Sequence, residues 1–308
     1  MKKAVVTGGA GFIGSHLAEE LAKRGWSVII LDDLSTGKRD NIEMLLNQDR
    51  LEFVEGSVLA IDLLEKLFHG VDCVFHQAAI PSVPRSIEDP LASHEANATG
   101  TLNVLIAARD AGVRKVVYAS SSSVFGDTPT LPQREDMPPN PQSPYAVAKL
   151  AGEYYCRVFQ EVYGLAAVCL RYFNVYGPGQ DPDSEYAAVI PRFIKRALEG
   201  KAPVIFGDGE QTRDFTFVKD AAEANILGAE SQACGVFNIG NGKSITVNEL
   251  ADQVLSITGS KAEPVHEEPR PGDITHSVAD ISRARTIGYE PKYALEEGLK
   301  RTVEEFRR

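Results

Sequence analysis

Cysteine is scarce in this 308-residue chain and scattered: Cys73, Cys156, Cys169 and Cys234, with no C-x-x-C pair. That spacing offers neither a disulfide framework nor a thiolate metal site, and it suits core thiols in a reducing compartment. The six histidines (16, 69, 76, 94, 266 and 276) include no pair at metal-ligand spacing, so no metal is expected. No apolar run approaches the length of a membrane span. Val5 and Val6 run straight into a glycine turn, which is not the start of a signal peptide. Positive charge is in deficit, with 32 Lys plus Arg against 43 Asp plus Glu, a net charge of −11 that disfavours a nucleic-acid partner. No G-x-S-x-G occurs, so the serines are not hydrolase nucleophiles. These absences leave a cytoplasmic protein without a membrane or nucleic-acid partner, long enough for a substantial core and two lobes.

The first positive signal is N-terminal. Residues 4–6 form an apolar run too short for a helix before Gly8, Gly9, Gly11 and Gly14, and so read as a buried strand. Beyond Gly14, Leu17, Ala18 and Leu21 recur at helical spacing, Glu19, Glu20, Lys23 and Arg24 occupy the opposite face, and Gly25 ends the pattern. A strand, a glycine turn and a helix N-terminus in that order make a place for a pyrophosphate. Gly8 allows the tight turn, Gly11 lets the backbone approach the phosphates, and Gly14 lets helix and strand pack closely. The spacing is G-x-x-G-x-x-G, one residue off G-x-G-x-x-G, and glycines alone are a weak signal. The partner strengthens it: residues 28–31 form a second buried strand ending at Asp32 and Asp33, about twenty residues on, where a carboxylate can hold a ribose diol. Lys38 and Arg39 could meet a 2′-phosphate, but the paired aspartates would repel one, so NAD is expected rather than NADP.

The pattern continues along the chain. Strands are expected at 51–54, 71–75, 116–119 and 168–170, with helices at 96–111 and 145–163. The strand ends carry Ser57 and Val58, where an adenine could rest, then Gln77, Ala78 and Ala79, and then the run Ser120 to Ser123. Alternating strands and helices predict an α/β fold with a parallel sheet, helices on both faces, and a ligand at the carboxyl ends of the strands. Past Asn174 the rhythm breaks. A helix at 188–198, short strands at 204–206, 215–218 and 236–239, and helices at 247–258 and 295–306 predict a smaller mixed lobe.

Tyr145 and Lys149 stand four apart, hence on one helical face. A phenol titrates near pH 10, and a nearby cation favours the phenolate, so Lys149 is expected to lower that value, as would a positively charged nicotinamide. Two or three pH units of lowering ask for about 3–4 kcal/mol. Y-x-x-x-K alone is more often packing. Here it follows a nucleotide turn and a serine run at a strand end, and Ser121 is placed to bond a substrate oxygen and pass its proton to Tyr145.

Taken together, Thr7 to Gly14, the serine run, Tyr145 to Lys149, Arg171-Tyr172-Phe173-Asn174 and Arg213-Asp214-Phe215 resemble the extended short-chain dehydrogenase/reductases, and within them the nucleotide-sugar epimerases of the UDP-glucose 4-epimerase type. The resemblance covers essentially the whole chain. It implies a Rossmann-type doubly wound lobe (1–173) holding NAD and a smaller lobe (174–308) holding a UDP-sugar, with some segments crossing back. It implies Tyr145 as base, with Lys149 on the nicotinamide ribose and Ser121 assisting. The cofactor set would be Gly8, Gly11, Phe12, Ile13, Gly14, Asp32, Lys38, Ser57, Val58, Gln77, Ala78, Ala79, Tyr145, Lys149 and Phe173. The substrate set would be Ser121, Ser122, Tyr145, Asn174, Val189, Arg213, Arg270, Asp273 and Ser277. A homodimer is implied through helices around 99–111 and 145–159, the first with a stripe of Val104, Ala108 and Ala111 that could equally face its own sheet. Ser57 replaces an aspartate that many relatives direct at the adenine. No Asp-Glu pair accompanies the serines, which argues against loss of water. Ser277 falls where glucose-selective relatives carry tyrosine, which leaves room for an N-acetyl group, and 180–182 with 186–191 resembles epimerases of N-acetylated sugars. A glucuronate epimerase, with Arg85 as the nearby cation, and a non-catalytic NAD sensor are the alternatives.

Overall fold

The short apolar runs assemble into one parallel sheet in a computed structural model, which describes residues 1–182, 188–269 and 274–307. Its strands are β1 (Lys3–Thr7), β2 (Ser27–Asp32), β3 (Leu51–Glu55), β4 (Cys73–His76), β5 (Lys115–Ser121), β6 (Ala166–Tyr172) and β7 (Gly235–Ile239), in the order β3-β2-β1-β4-β5-β6-β7. Every pairing is parallel. The chain leaves β3 and re-enters beside β1, so the strand order reverses between β1 and β4, and a crevice opens there at the carboxyl ends.

Helices cover both faces because the sheet is apolar on both. On one side, α1 (Phe12–Lys23) places Leu17 and Leu21 against Val6, Ile30 and Phe75 in a core that also holds Ala221 and Ile226. On the other, Leu64 and Phe68 of α2 (Ile61–Phe68), Val104 and Leu105 of α3 (Gly100–Asp110) and Phe159 of α4 (Pro144–Tyr163) meet Val5, Ile29 and Val116. Each fully buried aliphatic side chain of this kind contributes about 1.5–3 kcal/mol relative to exposure. A third cluster, with Phe193 of α5 (Val189–Leu198), Phe215, Phe217, Val254 and Leu299, forms the smaller lobe.

Two expectations are corrected and one open alternative is decided. The helix expected at 96 begins earlier: the Asp89 carboxylate accepts from Ala92 N at 3.0 Å and caps a segment starting at Pro90, which runs through a π turn (Glu95–Thr99) into α3. The stripe of Val104 and Ala108 faces its own sheet, both residues being wholly buried. The strand expected at 215–218 is shorter (Thr216–Phe217), because Val218 opens α6 (Val218–Glu230), which packs with α1. β7 then pairs with β6 in the main sheet. Lys115 secures that return: its buried ammonium donates to the carbonyls of Gly228, Ser231 and Ala233 around the end of α6.

Candidate active site

The turn between β1 and α1 tolerates no side chain at two of its glycines. Gly8 has φ +67°, and a Cβ there would lie 2.5 Å from Ala78 N. At Gly14 a Cβ would lie 2.1 Å from Gly8 O, so only hydrogen lets the helix seat on the turn. The helix starts at Gly11 without a side-chain cap and without an acidic residue in its first turn. Its first amides, Phe12 and Ile13 among them, are therefore available to an anion and sit at its positive end, which fits a pyrophosphate. Asp32 ends β2 buried; its Oδ2 accepts from Ala10 N at 2.9 Å and its Oδ1 from Leu34 N at 2.8 Å. Burial pushes its carboxyl upward despite those two bonds. Each oxygen keeps a lone pair, which fits a ribose diol.

Lys38 lies beside the glycine turn. Its ammonium pairs with Asp181 at 2.7 Å while its amide donates to Ala10 O at 3.0 Å. With the contact of His16 Nε2 and Pro178 O at 2.8 Å, this pair ties the segment after β6 to the glycine turn. Ser57 accepts from Leu59 N at 3.3 Å, and Val58 is buried against Gly100. Gln77 also faces away, donating to Asn225 Oδ1 at 2.8 Å and accepting from Tyr172 OH at 3.2 Å, so its backbone and the small Ala78 and Ala79 form the wall there. Phe173 is fully buried behind the strand tips, 6.2 Å from Phe125.

Ser121, Tyr145 and Lys149 come together. Ser143 caps α4 by accepting from Ala146 N at 3.1 Å, with Pro144 at the first helical position. That start sets Tyr145 at the strand tips, and Lys149 follows one turn on, its Nζ 5.8 Å from the Tyr145 ring centroid. Ser121, at the end of β5, is near enough to the Tyr145 phenol to lower its pKa against the effect of burial, and it accepts from Ser123 Oγ at 2.9 Å; Ser122 opens the turn that follows. Lys149 is buried and donates to Ala119 O at 2.8 Å. The expected tuning of the phenol by Lys149 is not what dominates. Desolvation lifts the Tyr145 phenol above its ordinary value, partly offset by Ser121, and drives the Lys149 ammonium down to about 7. Burial penalises both charged forms, and a half-protonated amine several ångströms from the ring offsets little of it.

Toward the smaller lobe, a cleft of about 280 Å³ is lined by Asn174, Val189, Arg192, Phe206, Gln211 and Arg213. Asn174 has φ +33°, a region asparagine tolerates better than most residues, and its Nδ2 donates to Asp214 O at 2.9 Å. Arg213 Nη1 donates to Thr212 O at 2.9 Å. Asp214 was not singled out from the sequence, yet it fixes this wall. It is wholly buried, accepts from the amides of Asn241, Gly242 and Ala279, and is pushed up to about 6 by burial. Its position beside Arg213 in Arg213-Asp214-Phe215 was the available signal. Ser277 is buried, its hydroxyl donating to Gln133 Oε1 at 3.3 Å. Arg270 and Asp273 lie outside the described residues, as does Tyr186. Among the described residues, no three or more His, Cys, Asp or Glu side chains could hold a metal ion, and no helix is long and apolar enough to cross a membrane.

The family model described as the NAD dependent epimerase/dehydratase family matches residues 4–240. A UDP-glucose 4-epimerase of Mycolicibacterium smegmatis is 42% identical over 99% of this chain and 98% of its own. Among solved structures, the UDP-N-acetylglucosamine 4-epimerase of Methanobrevibacter ruminantium is 45% identical with TM-score 0.96, covering 99% of this chain and 98% of that one. The UDP-glucose 4-epimerase of Thermus thermophilus, solved in complex with NAD, is 39% identical with TM-score 0.91 and 99% coverage of both chains. With the glycine turn, the buried aspartate and the Ser-Tyr-Lys trio on one sheet edge, the chain belongs to the NAD dependent epimerase/dehydratase family.

Proposed function

We propose that this NAD-dependent enzyme inverts C4 of a UDP-hexose reversibly through a 4-keto sugar. The observation that carries the reading is Tyr145 beside Ser121, with Lys149 one turn on and its Nζ 5.8 Å from the Tyr145 ring centroid, between the glycine turn and the cleft at Asn174 and Arg213. The amides after Gly11 hold the pyrophosphate, Asp32 the adenosine ribose, and Lys149, which has donors to spare beyond Ala119 O, the nicotinamide ribose. NAD, when bound, takes up the C4 hydrogen with its electron pair and gives it back. Tyr145 accepts the proton of the 4-hydroxyl through or beside Ser121 and later returns it. Because burial lifts this phenol, base chemistry at neutral pH draws on the positive charge of the oxidised nicotinamide together with Lys149.

Asn174, Arg213 and Arg270 grip the uridine diphosphate, a task suited to forked guanidinium donors, with Asp273 near the uridine ribose and Val189 in the cleft wall. The sugar itself is held loosely, so either face can be presented. Residues 1–173 carry the cofactor and 174–308 the nucleotide sugar, with α6 and β7 crossing back. Ser277, in place of a bulky ring, favours acceptance of N-acetylated sugars beside the unsubstituted ones. A second copy of the chain packs on the apolar face of α4, where Val147, Tyr154, Val158 and Val162 are 41–66% exposed. The function is tested by incubating the purified protein and saturating NAD with UDP-galactose and, separately, UDP-N-acetylgalactosamine. Appearance of the C4 epimer of at least one is expected, and inertness toward both would sink the reading.

A further inference from the structure

Nothing in the chemistry above uses the buried ion pair that lies directly behind it. Glu153 follows Lys149 by one helical turn on α4 and is only 4% exposed. Arg171 of β6, also 4% exposed, binds its carboxylate in bidentate fashion, Nε to Oε1 at 2.8 Å and Nη2 to Oε2 at 2.7 Å. Ser120 Oγ, itself buried, donates to the same Oε1 at 2.5 Å. Ser120 is paired in register with Arg171 and is the residue before Ser121. The guanidinium lies over the ring of Phe125, 4.6 Å from its centroid, at the end of the turn that follows Ser121. One carboxylate on the helix of Tyr145 and Lys149 is thus tied to β5, to β6 and, through Arg171, to the turn after Ser121.

We infer that Glu153 and Arg171 are positioning residues for the reaction, setting the distance and register between the Tyr145–Lys149 face of α4 and the Ser121 tip of β5. This rests on the assignment of Tyr145 and Ser121 above. Apolar packing on this side is incomplete. A cavity of about 210 Å³ runs along it, lined by Leu150, Tyr154, Cys156, Cys169 and Arg171 among others. On the opposite side the helix is in close contact, since a Cβ at Gly152 would lie 2.3 Å from Tyr118 Oη. With Gly152 in close contact and a cavity beyond, the charge-assisted bonds to Glu153 act beside the Lys149–Ala119 bond in holding the helix to β5 and β6. The geometry at risk is the approach of Ser121 to the Tyr145 phenol, and misplacement of a reacting group by about an ångström costs on the order of a hundredfold.

Two variants separate positioning from mere stability. Glu153→Gln leaves Arg171 without its carboxylate. The pair Glu153→Leu with Arg171→Met removes both charges at similar volume, an exchange that proteins often accept without loss of stability. We expect the double variant to melt near the wild type, to retain NAD and to keep the KM for the UDP-sugar within about twofold, while kcat falls about tenfold or more. The second readout needs no turnover: the phenol of Tyr145, titrated by difference absorbance against Tyr145→Phe, faces Lys149 on its own helix and Ser121 and Tyr118 on β5. Moving Ser121 away from the phenol shifts its midpoint to higher pH in both variants, and Glu153→Asp restores part of the shift. A double variant that holds NAD with wild-type kcat and an unmoved midpoint would overturn the inference, as would a fall in kcat that only tracks lost NAD. A wild type inert toward UDP-sugars would sink the functional reading instead, and the midpoint would still decide the role of Glu153.

Discussion

His76 shows at the scale of one residue how burial sets charge in this protein. It lies wholly buried between Thr7 Oγ1 at 2.7 Å and Thr101 Oγ1 at 2.9 Å, and burial holds its pKa down to about 3. In the unfolded chain it titrates near 6.5, so between those values the unfolded state binds the extra proton. Its contribution to stability is complete above pH 6.5 and is lost as pH falls toward 3. At pH 5 the loss is about 2 kcal/mol. Denaturant unfolding should therefore find the stability gap between the wild type and His76→Gln narrower at pH 5 than at pH 7.5 by about that amount; an unchanged gap would contradict it. The same physics separates what was legible at Tyr145 and Lys149 from what was not. Their types and four-residue spacing place both on one helical face from sequence alone. Their ionisation depends on what covers them, and the cover comes from β5 and Tyr118, which no local pattern specifies.

At the scale of elements, the strand–turn–helix at the N-terminus was legible because each piece is local: an apolar run, glycines with distinct tasks, and a helical stripe. Those tasks can be told apart. A Cβ at Gly14 collides with Gly8 O, whereas at Gly11 its nearest neighbour is that oxygen at 3.1 Å. Gly11→Ala should lose NAD affinity and keep the melting temperature, and Gly14→Ala should lose both, as read by NAD titration and thermal unfolding. Equal melting losses would contradict the division. The capped start at Asp89-Pro90 was also written locally, in a cap residue before proline, but the π turn at Glu95–Thr99 interrupts the helical period and hid its continuity with α3. The return of β7 to the main sheet was not readable from its own residues, and only the resemblance implied that some segments cross back. A run such as Val236 to Ile239 suits any sheet, and only its distant partner β6 decides which.

At the scale of the molecule, two layers of helix around a parallel sheet followed from alternation alone. The stripe of Val104 and Ala108 belongs to the core, and an exposed apolar face lies on α4, the second of the two helices expected at the interface, with Ile87 and Leu91 exposed on the segment before α3. Helix-spaced exposed side chains of that kind mark a contact surface, and a twofold interface would match the patch to itself. Replacing Val158 and Val162 by glutamate should shift sedimentation from dimer to monomer without unfolding; a wild type that sediments as monomer would rule the interface out. The central claim is that one pocket removes and restores the same hydrogen at C4, and isotope labelling reads it directly. A UDP-hexose carrying deuterium at C4, converted by the enzyme in ordinary water, should yield both epimers with that deuterium still on C4. Washout of the label into solvent would contradict the account.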